Sequence, residues 1–336
     1  MKETSNDPVR GGSVPVQSVA SPGLWFLSIA ALLALLVVDF LVTRRPHEVS
    51  LREAAGWSVF YLTLPLVFGL WLWFEFGSGQ SLEFVTGFVV EKSLSVDNLF
   101  VFMLLLAAFR VPPEIQQRVL LYGIVGALVL RGIFIVAGAA MLAAGTWAFL
   151  VFGLVLFASA LKILHAALAG VPAAKDTSKM RSVRLLRRLM PVTDDYRGTR
   201  MTVRENGRRA LTPLAIVVVA IFATDVVFAI DSVPAVYGIT EDPYLVFTTN
   251  AFALLGLRAL YFVLHSALAK LVHLNHGLAI ILAFIGVKLV LHWAHGVWPA
   301  VPTIPTPVSL AVIVATLGIV TLTSLRSRRH EAASLD

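Results

Sequence analysis

Two short stretches of this chain carry paired carboxylates at one spacing. Glu91 and Asp97 are separated by five residues and followed by Asn98. Asp225 and Asp231 are separated by five residues and followed by Ser232. Both stretches lie inside long apolar runs, where a carboxylate is expensive and by default marks an ion pathway or a binding site. Their donor atoms are carboxylate, amide and hydroxyl oxygens, a set that suits hard cations such as Mg²⁺, Ca²⁺ and Mn²⁺. Neither stretch contains the His or Cys that selective zinc or copper sites more often recruit.

Helical spacing decides which of these groups can act together. Glu91, Ser95 and Asn98 follow at i, i+4 and i+7 and share one face. Asp225, Ala229 and Ser232 do the same. Asp97 and Asp231 are each rotated by about 120° from the first carboxylate of their pair and displaced by about 9 Å along the axis. One pair therefore does not chelate an ion by itself, and the expected site lies between the two stretches. Pro234 lacks a backbone donor and clashes with the carbonyl of Ile230, so a helix break is expected there, freeing carbonyls as further ligands. The competing reading is that the acids neutralise the other intramembrane bases, Lys92, Arg131, Lys162, Arg258 and Lys288, the last four being the accessory or coupling charges.

The elements that carry these residues are membrane helices. The chain has 336 residues, 58% of them hydrophobic and 14% charged, far too apolar for a soluble domain. It contains no cysteine, which excludes disulfides and thiolate metal sites. Nine apolar stretches are long enough to span a bilayer: Leu24–Val42, Trp57–Phe74, Leu82–Phe109, Val119–Leu142, Trp147–Leu168, Pro213–Tyr237, Tyr244–Leu268, Asn275–Ala294 and Val308–Leu325. Lipid offers no partner to an open backbone, so all nine are expected to be helices. The first lacks a basic run directly before it and a small-residue cleavage site after it, which favours a retained helix over a cleaved signal.

The basic residues fix the orientation. Eleven Lys and Arg lie between spans 5 and 6, from Lys175 to Arg209. Others fall between spans 1 and 2, 3 and 4, 7 and 8, and after span 9, while the alternate connections have none. The expected topology has the N-terminus outside and the C-terminus in the cytoplasm. The net charge of +7 is thus explained by topology, and nucleic acid is not an expected partner. Asn206-Gly207 between strand-forming runs predicts a hairpin in the basic loop. Asp39, His273, His276, His292 and His295 are expected at the membrane interface.

The pattern repeats. The order of carboxylate pair, Arg131 and Lys162 over spans 3–5 returns as carboxylate pair, Arg258 and Lys288 over spans 6–8. Three is an odd number of crossings, so the two repeats are inverted relative to each other, an arrangement that places a transport site near the midplane. The expected fold is an all-α membrane protein with nine transmembrane helices and two inverted three-helix repeats. Its parts are a disordered extracytoplasmic tail (1–22), spans 1–2 (23–80), repeat 1 (81–168), a basic cytoplasmic loop (169–211), repeat 2 (212–296), the last span (297–325) and a cytoplasmic tail (326–336).

The stretch Glu91 to Phe102 resembles the first signature of the TerC family of integral membrane proteins. Asp225 to Ala235 resembles the second, and Phe247 to Phe262 a third block. The resemblance runs from about Gly69 to Leu325. It implies a bacterial inner-membrane exporter of Mn²⁺, not an enzyme, with the acidic residues handling the ion. Mn²⁺ is then cargo, with no permanently bound cofactor, and protons are a candidate coupling ion. On this reading the metal ligands are Glu91, Asp97, Asn98, Asp225, Asp231 and Ser232. Two alternatives stand beside it: a membrane-assembly or partner-binding factor acting through the basic loop, and a transporter of tellurite or another oxyanion using the buried bases.

Overall fold

The computed structural model describes residues 18–42, 51–169, 191–193, 195–205, 208–257, 260–261 and 274–333. Its described residues are predominantly helical: α1 (Pro22–Val42), α2 (Leu51–Phe76), α3 (Ser78–Ala108), α4 (Pro113–Ala144), α5 (Trp147–Leu168), α6 (Pro213–Tyr237), α7 (Pro243–Leu254), α8 (Leu274–Val297) and α9 (Thr306–Ala333). Seven of these, all but α3 and α7, contain segments long and apolar enough to cross a membrane. The 31-residue α3 spends part of its apolar character on Glu83, Glu91, Lys92 and Asp97. In α7 the described helix is only 12 residues long.

The expected hairpin is present. Strands β1 (Thr202–Glu205) and β2 (Arg208–Leu211) pair antiparallel, with Thr202 opposite Leu211 and Val203 opposite Ala210. The Asn206-Gly207 turn itself lies outside the described residues. Tyr196, just before the hairpin, donates a hydrogen bond from its hydroxyl to the Phe109 carbonyl at 2.8 Å, tying this segment to the end of α3.

The centre of the molecule is α6, which packs against α3, α4 and α5. Its N-terminal half joins a core with Leu99 and Leu105 of α3 and Val119 of α4. Its C-terminal half joins a second core with Phe152 of α5 and Ile285 of α8. Helices α5 and α8 form the closest pair. A Cβ on Gly153 would lie 2.9 Å from the Gly286 carbonyl oxygen, so the contact requires glycine. Small residues at such crossings bring backbones within dispersion range, the main attraction left when lipid is as apolar as the protein.

One local expectation changes. Helix α6 runs through Pro234 without a break and ends three residues later, at Tyr237. Val233, Ala235, Val236 and Tyr237 are buried around it, and the Tyr237 hydroxyl donates to the Ile135 carbonyl at 2.8 Å. Tertiary packing holds the last turn despite the missing donor. An interruption falls instead just after α7, at Leu255–Gly256. Gly256 has φ +78°, a left-handed conformation that favours glycine. A Cβ there would also collide with Tyr61 of α2. Helical structure resumes at Leu257, and Leu260 donates its amide to the Gly256 carbonyl at 2.9 Å. Near the end of α1, Asp39 is buried and accepts from the Tyr61 hydroxyl at 3.1 Å.

Candidate functional site

Helical periodicity turns the expected faces inward. Glu91, Ser95 and Asn98 on α3 are buried, as are Asp225, Ala229 and Ser232 on α6. Arg131 of α4 joins them and, among the described residues, is the largest side chain with no exposed surface. It forms an ion pair with Glu91, also fully buried. Its Nη2 lies 3.9 Å from Asp225 Oδ1, within ion-pair range but beyond a hydrogen bond. The first carboxylate of each motif is therefore brought to one guanidinium.

Two amides complete the shell. Arg131 Nη1 donates to Asn250 Oδ1 at 2.9 Å. With its amide turned so that the oxygen faces the guanidinium, Asn98 accepts from Arg131 Nη2 at 3.1 Å. Sequence reasoning assigned Asn98 to a metal and did not single out Asn250. The available signal was a buried-type amide in the apolar run after Pro243. Asn250 is fixed by α7, whose N-cap Asp242 accepts from the Tyr244 amide at 2.8 Å and whose first residue is proline.

The helices that carry this charge cluster also hold buried oxygens without partners. Both carboxylate oxygens of Asp225, 1% exposed, lack a hydrogen-bond partner, as do the hydroxyls of Ser95, Ser232 and Thr249. Buried polar atoms are nearly always paired, so such a group of orphans needs an explanation, an absent ion or water among them. What it offers is a set of hard oxygen donors carrying negative charge.

The second carboxylates behave differently. Asp231 turns to α5, where Ser159 donates to its Oδ1 at 3.0 Å. Lys162, one turn further along α5, interacts with it electrostatically. The side chain of Asp97 and all of Arg258 lie outside the described residues. Lys288 interacts with Glu83 at the start of α3, not with either motif. Glu83 in turn accepts from Thr240 at 2.7 Å. Among the described residues no three His, Cys, Asp or Glu side chains stand close enough to share one metal ion. As they stand here, Glu91, Asp225 and Asp231 are not gathered around a common point.

Lys92, next to Glu91, has a role that spacing did not indicate. Its Nζ donates to the Ala253 carbonyl at 3.2 Å, at the interrupted end of α7. An ammonium at a helix C-terminus is favourably placed against the helix dipole. One turn of α7, Asn250 to Ala253, is thus gripped by Arg131 and by Lys92.

Comparisons with known proteins agree with the motifs. A membrane protein of Myxococcus xanthus, uncharacterized by name, is 41% identical over 321 residues, covering 94% of this chain and 96% of that protein. A Salmonella typhi protein named as a membrane-bound redox modulator, Alx, is 39% identical over 322 residues, covering 92% and 94%. An uncharacterized membrane protein of Mycobacterium tuberculosis is 41% identical over 326 residues, covering 93% and 81%. No solved structure matches the chain. The description "Integral membrane protein TerC family" matches residues 76–332, which include both acidic motifs, Arg131 and Asn250. With most of its length and all of the charge cluster inside that match, the chain belongs to the TerC family of integral membrane proteins.

Proposed function

We propose that this protein is a secondary transporter of the bacterial inner membrane that exports divalent metal cations, with Mn²⁺ as cargo. The observation that carries this reading is Asp225: a buried carboxylate with no hydrogen bond to either oxygen, facing a guanidinium at 3.9 Å. Its neighbours in the site offer only oxygen atoms besides the guanidinium, which favours a hard cation over a soft one. The path runs between two inverted three-helix repeats, α3–α5 and the region from α6 to α8, within nine membrane crossings. The N-terminus lies outside and the C-terminus in the cytoplasm, as the positive-inside rule requires.

Export of a cation opposes an inside-negative potential by about 2.3 kcal/mol per charge per 100 mV. The chain has no nucleotide-binding motif, so exchange with protons is the proposed source of energy. The oxyanion reading fits less well: both terminal nitrogens of Arg131 are already engaged by carboxylates and amides. A redox role, as in the name Alx, would not run through thiols here, because the chain has no cysteine.

Flux in proteoliposomes tests the proposal. Wild type is expected to move Mn²⁺ in preference to tellurite, and Asp225→Asn, Asp97→Asn and Asp231→Asn to lose that flux. No divalent flux from wild type, or normal flux in all three variants, would overturn it.

A further inference from the structure

The geometry points to Arg131 as a tethered stand-in for the cargo, holding the empty site until a divalent cation displaces it. This rests on the transport reading above and names a residue that controls affinity and the return of the empty carrier.

Charge comes first. Glu91 and Asp225 together carry two negative charges, and Arg131 supplies one positive charge between them. A divalent cation matches the two carboxylates by itself. Were the guanidinium to stay in contact with both acids, three positive charges would crowd into a buried site where screening is weak. Binding therefore requires Arg131 to give up its carboxylates.

The structure supplies somewhere for it to remain. Asn98 and Asn250 bind the guanidinium through neutral oxygens, which do not compete for a metal as strongly as carboxylates do. Each amide is fixed by donating its own N–H to the carbonyl four residues earlier, Leu94 at 3.1 Å and Val246 at 2.9 Å. These anchored seats lie on α3 and α7, while Arg131 projects from α4. The long contact to Asp225 shows which carboxylate is less completely held. Its two orphan oxygens are the groups a cation would meet first.

The same arrangement explains how an empty carrier crosses its closed state. Two uncompensated carboxylates in a bilayer-embedded core are costly to bury. Arg131 lowers that cost when no cargo is bound, so the unloaded protein can reorient. Without the guanidinium, reorientation would depend on bound metal.

The test uses purified full-length protein in lipid nanodiscs and proteoliposomes, with wild type, Arg131→Gln and Arg131→Lys. Mn²⁺ binding is read from the paramagnetic resonance signal of the free ion, and net Mn²⁺ efflux is compared with Mn²⁺/Mn²⁺ exchange. Arg131→Gln is expected to bind Mn²⁺ at least about tenfold more tightly, because a competing buried charge is gone. It should retain exchange while losing net efflux. Arg131→Lys should fall between it and wild type, since a shorter ammonium reaches fewer of the same partners. Equal or weaker binding in Arg131→Gln, with exchange and net efflux lost together, would make Arg131 a structural ion-pair partner and overturn the inference. Should that variant fail to fold, Arg131→Lys carries the test, and wild-type affinity in it is the overturning result. A wild type that transports Mn²⁺ alongside unaltered Arg131 variants refutes only the stand-in role. A wild type that neither binds nor moves a divalent cation refutes the transport reading and this inference with it.

Discussion

Asn98 and Asn250 hold Arg131 in the same way from different helices. Each donates its amide N–H to the carbonyl four residues earlier and turns its oxygen to one terminal nitrogen of the guanidinium. Removing either oxygen leaves a buried charged donor short of a partner. Asn250→Ala is therefore expected to lower stability by about 1–3 kcal/mol. The cost should shrink when Arg131 is already glutamine, because the interaction is then absent. A double-mutant cycle on thermal unfolding in detergent measures the coupling. Additive losses would show that Asn250 acts independently of Arg131.

The two carboxylates at Arg131 should separate stability from transport. Glu91 makes the close ion pair, and Glu91→Gln breaks a buried pair at an expected cost of about 3–5 kcal/mol. Asp225 stands farther from the guanidinium, at 3.9 Å, so Asp225→Asn should cost less stability than Glu91→Gln. Its Mn²⁺ flux should nevertheless fall by at least about tenfold, as expected when a charged ligand is lost. Melting temperature and initial flux rate, taken on the same preparations, check both halves.

Glycine is required at two places for different reasons. At Gly153 the neighbour is backbone, the Gly286 carbonyl on α8, which cannot swing aside. Gly153→Ala should cost about 1–3 kcal/mol through overpacking. At Gly256 the backbone is left-handed, so alanine costs about 1–2 kcal/mol before its collision with Tyr61 is counted. Both should lower the unfolding temperature. Gly256→Ala should additionally slow flux, because it disturbs the interruption next to Ala253 and Asn250. Unchanged flux in a folded Gly256→Ala protein would detach the interruption from function.

Alkali should loosen the contact between the hairpin segment and α3. Burial pushes the Tyr196 hydroxyl up to about 12 from its ordinary value of 10.0. A raised value means the folded state favours the protonated phenol. Its contribution is complete below pH 10 and is lost as pH rises towards 12. Tyr196→Phe should remove one tyrosine from the late-titrating phase of phenolate absorbance. The substitution should also flatten the stability loss over that window.

Much of the arrangement was legible in the chain. Lipid leaves helices as the main solution for long apolar runs, so periodicity alone put Glu91, Ser95 and Asn98 on one inward face and Asp225, Ala229 and Ser232 on another. The same wheel separated Asp231 from Asp225, and Asp231 does face α5 and Ser159. The hairpin followed from turn chemistry. Local rules failed where packing outweighed them. Pro234 suggested a break, yet the buried turn around Tyr237 keeps its helix, and the interruption sits at Gly256 against Tyr61.

What the sequence by itself determined was the inventory: acids at helical spacing in apolar runs, bases elsewhere, no thiols, and apolar stretches long enough to span. Each follows from one-dimensional quantities, namely residue type, period and the cost of charge in hydrocarbon. What only the tertiary structure decided was the pairing. Four bases on other helices could have met the acids, and spacing cannot rank them. Packing brought Arg131 to Glu91 and Asp225, took Lys162 to Asp231, sent Lys288 to Glu83, and added Asn250. Partner choice depends on distances across helix interfaces, and those are set by how glycines and bulky side chains let the helices approach.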